Sequence, residues 1–259
     1  MKLLVVILFV GIFVAAPVLT ILGRYPNSGK RTWTWQDTMQ ENNLITGEKT
    51  AKTITVVGGH LENRTVSGEN YEVYKFVYMD RSNDYVLVYY SPPNDNRVFW
   101  QKFEEIYRDG SKISERVWSK PLLEYELPPQ PGNTFSDSTD YTFTYFGYGG
   151  YSGSGQMMIS VEVVRKENVT VPAGTFECYL LRASVSRTYS STVSGSTIQG
   201  NVSYVENIWI SPQNLTQATE YQTTYVKTVR DETDTATKGD QTTYNTTRHY
   251  ESVLTNYAP

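Results

Sequence analysis

Cysteine and histidine are nearly missing from this sequence of 259 residues, which holds one Cys and two His. A single cysteine rules out an internal disulfide. Cys178 sits in a strand-like run and reads as a small buried hydrophobe. His60 follows Gly58-Gly59, and His249 lies near the far end of the chain. Neither has a second His or Cys at ligand spacing, so no metal or other cofactor is expected. Basic runs are absent and the net charge is −4, so nucleic acid is not an expected partner. There is no P-loop and no clean G-x-G-x-x-G. The glycine-rich stretch lacks G-x-S-x-G, because Ser152 is followed by Gly153-Ser154. Glu104-Glu105 and Glu124/Glu126 read as surface charge. Asp231, Glu232, Asp234 and Asp240 read as a solvated acidic loop whose order does not fit an EF-hand. Catalysis at neutral pH recruits His, Cys or tuned carboxylates in a set geometry. None is visible, so no catalytic residue and no enzyme is expected.

Helix formers are sparse as well. What takes their place is tyrosine, 21 residues in a chain that is 14 % aromatic, together with abundant threonine, which is strand composition. The exception is Leu3 to Leu22, an uncharged apolar run behind Lys2. It predicts a signal peptide or a single membrane-spanning helix, and hence an N-terminal segment over residues 1–24. Pro17 directly after Ala15-Ala16 is a poor residue beyond a cleavage point, which favours a retained membrane anchor through residues 3–22. No cysteine ends the run, which argues against a lipoprotein anchor. The polar remainder is expected outside the cell, on the outer face of the membrane or secreted.

The chain repeats itself. Glu62-Asn63-Arg64-Thr65-Val66 and Glu167-Asn168-Val169-Thr170-Val171 open two similar stretches. Further collinear matches join Thr32-Trp33-Thr34-Trp35 to Thr142-Phe143-Thr144-Tyr145 and Tyr90-Ser91-Pro92 to Ile210-Ser211-Pro212. A last pair joins Arg116-x-Trp118 to Arg248-x-Tyr250. The extra residues of the second copy fall in Ser184 to Gly200 and in Asp231 to Asp240, which read as polar loops where insertions are tolerated. This predicts a β repeat over 25–129 and a second over 130–259, with Leu127 to Gly132 as linker. The fold class that follows is all-β: two tandem copies of an antiparallel unit of about six strands each, forming a sandwich or half-barrel behind an N-terminal hydrophobic helix. Trp33 should correspond to Phe143, Tyr89 to Trp209 and Trp118 to Tyr250. Asp109-Gly110 is the clearest hairpin turn, and Pro172 with Gly174 predicts a tight turn into the next strand.

Val169 to Tyr179, Trp209-Ile210-Ser211-Pro212 and the closing Ser252 to Tyr257 strand resemble a group of uncharacterised exported prokaryotic proteins. The shared pattern is a V-P-A-G-x-F turn and an aromatic-x-S-P strand end. It covers mainly the C-terminal half; in the first half Ser67-Gly68-Glu69 stands where the pattern has Pro-Ala-Gly. The resemblance implies an antiparallel sheet, similar to lipid-carrying half-barrels, and carries no catalytic residues with it.

Five N-x-S/T triplets begin at Asn63, Asn168, Asn201, Asn214 and Asn245 and are candidate glycosylation sites. Tyr148 and Tyr151 in the glycine-rich stretch form a candidate contact loop. The function expected is that of a non-catalytic envelope protein binding an apolar or glycan ligand. The alternative is a structural subunit that self-associates through strand edges into a surface layer or filament.

Overall fold

The computed structural model describes residues 32–66, 68–79, 84–90, 97–99, 103–126, 128–146, 150–193, 195–213 and 222–258. The segment 3–22, where an apolar helix is expected, lies outside them. Among the described residues no helix is long and apolar enough to cross a membrane. All regular structure there is strand. In the first half these are β1 (Thr32–Asn43), β2 (Lys49–Val66), β3 (Glu69–Tyr78), β4 (Tyr85–Tyr90), β5 (Arg97–Phe99), β6 (Phe103–Arg108), β7 (Ser111–Trp118) and β8 (Leu123–Glu126). In the second they are β9 (Thr134–Tyr145), β10 (Tyr151–Val171), β11 (Gly174–Val193), β12 (Ser196–Gln213), β13 (Gln222–Lys238) and β14 (Gln241–Ala258).

Twelve of these strands close into one antiparallel barrel in the order β1-β14-β13-β12-β11-β10-β9-β7-β6-β4-β3-β2, and β5 pairs with β8 beside it. This overturns the expected sandwich or half-barrel of two tandem units. The reason lies at the edges. A six-strand meander ends in two rows of unpaired backbone groups. Here β7 pairs with β9, and β14 pairs with β1 from Thr32↔Ala258 to Asn43↔Thr246. Each half thus satisfies the edges of the other, and only the closed sheet is complete. Trp33 and Phe143 lie on the first barrel strand of their halves, Tyr89 and Trp209 on the fourth, Trp118 and Tyr250 on the sixth.

Local chemistry sets the turns. Asp109 and Gly110 both have positive φ, 48° and 76°, the geometry of a two-residue hairpin that matches strand twist. Gly174, with φ 135°, starts β11 directly after Pro172-Ala173. The Ser184–Gly200 and Asp231–Asp240 stretches, expected as loops, are mostly strand: β11 and β12 turn near Gly195, and β13 runs on to Lys238. Period-2 alternation puts every second residue of β10 inside, from Met157 to Val163.

One end of the barrel is sealed. The connection holding β8 inserts Leu122 and Tyr125, both fully buried. Asp137 pins this connection by accepting from the Leu123 amide at 3.2 Å and from Lys120 Nζ at 2.6 Å. The β10–β11 hairpin folds over the same end: the Ala173 amide donates to the Leu254 carbonyl on β14 at 3.4 Å. Trp33, Trp35, Leu181, Ile208 and Leu254 fill the space beneath in one apolar cluster. Trp35 Nε1 is satisfied by the Tyr225 carbonyl at 3.1 Å.

The outward rows of β9–β14 are mostly serine, threonine and charge, for example Ser136, Ser160, Ser184, Ser203 and Thr233, with Met158 and Val205 as exposed exceptions. That is the reverse of a membrane barrel, whose lipid-facing row is apolar.

Candidate functional site

Beyond the apolar plug the barrel interior turns polar. Glu206, Arg230, Glu232, Asp234 and Arg248 all face inward with 5 % exposure or less. Register explains their meeting: Glu206 lies opposite Arg230, Glu232 opposite Arg248, and Arg248 opposite Glu41 on β1. Arg248 is the hub. Its Nη1 donates to Glu232 at 2.8 Å and stands 3.6 Å from Asp234, while Nε reaches Glu41 and Nη2 reaches the Tyr244 hydroxyl. Burial works against the charges of Arg248 and Arg230. Tyrosines and Glu232 outweigh it, holding both guanidiniums above their usual pKa. Arg230 also stacks on the rings of Tyr250 and Tyr204, at 4.4 and 4.7 Å, which is favourable for a cation out of water.

The acids are less well served. Among the described residues both oxygens of Glu206 lack a hydrogen-bond partner, and those of Asp234 have only the Arg248 guanidinium at ion-pair range. Burial pushes the Glu206 carboxyl up to about 7 against the pull of Arg230. It pushes Asp234 up to about 7 against Arg248 and Arg187. Asp37 on β1 is pushed up to about 6 by burial, opposed by a Ser252 hydrogen bond and by Arg230. Buried polar atoms normally have partners, so Glu206 and Asp234 are the least satisfied of these charged groups.

Glycines make room for aromatic rings inside the barrel. Gly153, Gly155 and Gly200 lie in interior rows, and the rings of Phe143, Tyr141 and Tyr189 lie where a Cβ would stand. Tyr141 thereby crosses β10 and donates its hydroxyl to the Thr188 carbonyl of β11 at 2.9 Å. Tyr189 and Arg187 face inward and are partly exposed, although the Tyr189 hydroxyl itself is buried. Next to β9, β7 supplies Arg116, paired with Glu104 at 3.4 Å.

A second concavity, of about 840 Å³, lies on the outer face across β9–β13. Small side chains, Ser136, Ser160, Ser184 and Ser203, keep its floor low, with Met158 and Val205 as apolar patches.

The sequence-based candidates scatter. Asn168 and Asn201 are exposed on β10 and β12, and Asn245 is partly buried on β14. Asn63 is in β2, its side chain beyond the described set, and Asn214 and Tyr148 lie outside the described residues. Tyr151 begins β10 and packs edge-on against Phe143 at 6.4 Å and tilted against Tyr145 at 5.4 Å. His249 faces outward and pairs with Asp231 at 2.7 Å; only the backbone of His60, in β2, is described. Cys178 is buried in β11, and burial pushes its thiol up to about 12. The acidic stretch is corrected most: Glu232 and Asp234 are interior, Asp231 and Asp240 exposed. Among the described residues no group of three or more His, Cys, Asp or Glu could hold a metal ion. Sequence reading missed the lumen charges. Their one signal was Arg230-x-Glu232-x-Asp234, a charged row at strand period.

No protein-family model matches the chain, and no curated protein matches its sequence. Solved structures do match. A presumed exported protein of Bacteroides fragilis with a YmcC-like fold is 13 % identical at TM-score 0.41, over 92 % of this chain and 100 % of that one. A presumed lipoprotein of Parabacteroides distasonis is 13 % identical at 0.38, over 90 % and 97 %. The hypothetical lipoprotein YmcC of Escherichia coli is 12 % identical at 0.34, over 86 % and 85 %. All three are described as exported proteins or lipoproteins. Likeness at this distance says nothing about what this chain binds.

Proposed function

We propose that this is a non-catalytic binding protein of the cell envelope, exported and tethered through residues 3–22, which holds a hydroxyl-rich ligand of glycan type in the barrel lumen. The observation that carries the reading is the set of buried Glu206 and Asp234 oxygens with no hydrogen-bond partner among the described residues. Sugar hydroxyls are donors of the kind these acceptors lack, and Tyr141, Tyr189 and Tyr204 offer ring faces beside them. An apolar ligand would leave the acceptors unmet at a cost of about 1–3 kcal/mol each. A neutral thiol at Cys178 and an outward His249 support the non-catalytic part. Export and tethering rest on Leu3 to Leu22 alone.

Assembly through strand edges is less well supported, because closure uses the edges of all twelve barrel strands. Calorimetric titration of the full chain with neutral mono- and oligosaccharides tests the binding reading. Saturable heat that weakens about tenfold or more in Glu206→Gln is expected. Absence of heat for every neutral and acidic sugar tried would end it. Recovery of a native N-terminus between Pro17 and Tyr25 would end the tether.

A further inference from the structure

The outer face of the long wall carries little charge. Pairing sets its outward residues in rows across the strands. Met158 lies between Ser138 and Ser186 in one row, and Val205 between Ser184 and Asp231 in the next. From the level of Thr142 on β9 down to that of Ser136, and across to β14, the outward residues that ionise are Asp140, Asp231 and His249. The last two pair with each other at 2.7 Å. Asp137, at the border, is spent on Lys120 and the Leu123 amide. A face made for water alone is about 25–35 % charged, so this one has another use.

Its shape points the same way. Serines keep the floor of the 840 Å³ hollow low, and Met158 and Val205 stand out of it, 48 % and 47 % exposed. A closed barrel is convex around its girth. A hollow on its outside is therefore concave lengthwise, and the wall is a saddle. A saddle fits a second copy of itself. Half a turn about a line midway between its two curvatures exchanges the concave direction with the convex one. Barrel strands, tilted by about 35–45°, run close to that line.

We propose that the outer face of β9–β14 is the interface of a homodimer, two copies packed face to face about a twofold axis that runs along the strands between β11 and β12. In the observed register that axis lays Val205 of one copy on Ser184 of the other, and Met158 on Thr233. Each protruding side chain thus meets a short one. No like charges meet: Asp231 falls on Ser160, and Asp140 on Asn245. Six strands and about ten residues of each cover roughly 800 Å² at the usual spacings, which is what one partner of a stable complex buries. Rotation about this axis also keeps both sealed ends on one side, as two chains tethered to one membrane require. The strand edges, all used in closure, take no part.

Sedimentation of the full chain in a nonionic detergent tests this. The proteins are the wild type, Val205→Lys and, as a control on β7, Val117→Lys. The wild type should run as a dimer at low and high salt alike, since no ion pair holds the face. Val205→Lys should raise the dimer dissociation constant about 100-fold or more, because the twofold buries the new charge twice. Val117→Lys should leave it unchanged. Both side chains are exposed in the single chain, so both variants should fold; if Val205→Lys does not, Ser184→Arg takes its place. A monomeric wild type would overturn the proposal. So would a dimer that survives Val205→Lys, which would trace association to the apolar segment 3–22, or one that salt dissolves, which would trace it to charges elsewhere.

Discussion

The two halves of the barrel wall use the same strand alternation to opposite ends. In β9–β14 the strands run 12 to 21 residues, with serine and threonine outside and arginine and acid inside. In β3, β4, β6 and β7 they run 6 to 10 residues. There the interior is Phe76, Val86 and Val88, and the other face carries Tyr71, Val73, Leu87 and Tyr89, buried in a cluster of their own. That face is knit by tyrosine. Tyr85 stacks on Tyr107 at 4.5 Å, and the Tyr89 hydroxyl donates to Glu105 at 2.6 Å. Glu105 also takes Lys112 at 3.0 Å. The short wall is thus covered on both faces and stabilised by packing. The long wall has water on one face and a charged lumen on the other, and its stability depends on counter-charges meeting. Buried charge collects mainly on the wall that gives up apolar packing, with Glu104 and Arg116 as the short wall's share.

The largest blow to that contrast is Arg248→Met. It leaves Glu232 and Asp234 without their main cation, and removal of one partner from a buried pair costs about 3–5 kcal/mol. Urea unfolding should show the loss. A change below about 1 kcal/mol would mean that the long wall does not depend on its charges.

Next comes pH. The Glu206 carboxyl moves from an ordinary 4.5 to about 7 in the folded state. Through that window the folded barrel keeps a proton that the unfolded chain has released. Stability is therefore full below the lower value, falls as pH rises to the upper one, and is level above it. Asp234 and Asp37 act in the same direction. Glu206→Gln should raise stability at pH 8 by roughly 1–3 kcal/mol and flatten the slope between pH 5 and 7. Melting curves across that range check this, and an unchanged slope would count against a buried acid.

The smallest effects sharpen the comparison of outer faces. Tyr89→Phe removes a donor to Glu105 and should cost about 1 kcal/mol. Ser184→Ala, on the exposed outer row of the long wall, should stay within about 0.5 kcal/mol. Equal losses would mean that the two outer faces are not different in kind.

Much of the framework was legible because it is local. Tyrosine and threonine at period two read as strands, and the Asp109-Gly110 and Pro172–Gly174 turns read from φ preferences that travel only a residue or two. The charged row Arg230-x-Glu232-x-Asp234 was present in the same alternation, yet read as solvated, since acids are rarely buried. Alternation states that those three share a face. It does not state which face, because sidedness depends on what neighbouring strands supply: Glu41 of β1, which reaches Arg248, comes from far along the chain. Closure was hidden for the same reason. Two similar six-strand runs are compatible with two separate sheets or with one ring. What decides is whether β14 finds β1, a pairing between the two ends of the described chain that leaves no mark on either strand alone. Sequence by itself determined strand, turn and the rows of like residues. Only the tertiary structure decided inside from outside, and brought Arg248 to Glu41 and Glu232, because both depend on neighbours that the backbone brings together only when the ring is complete.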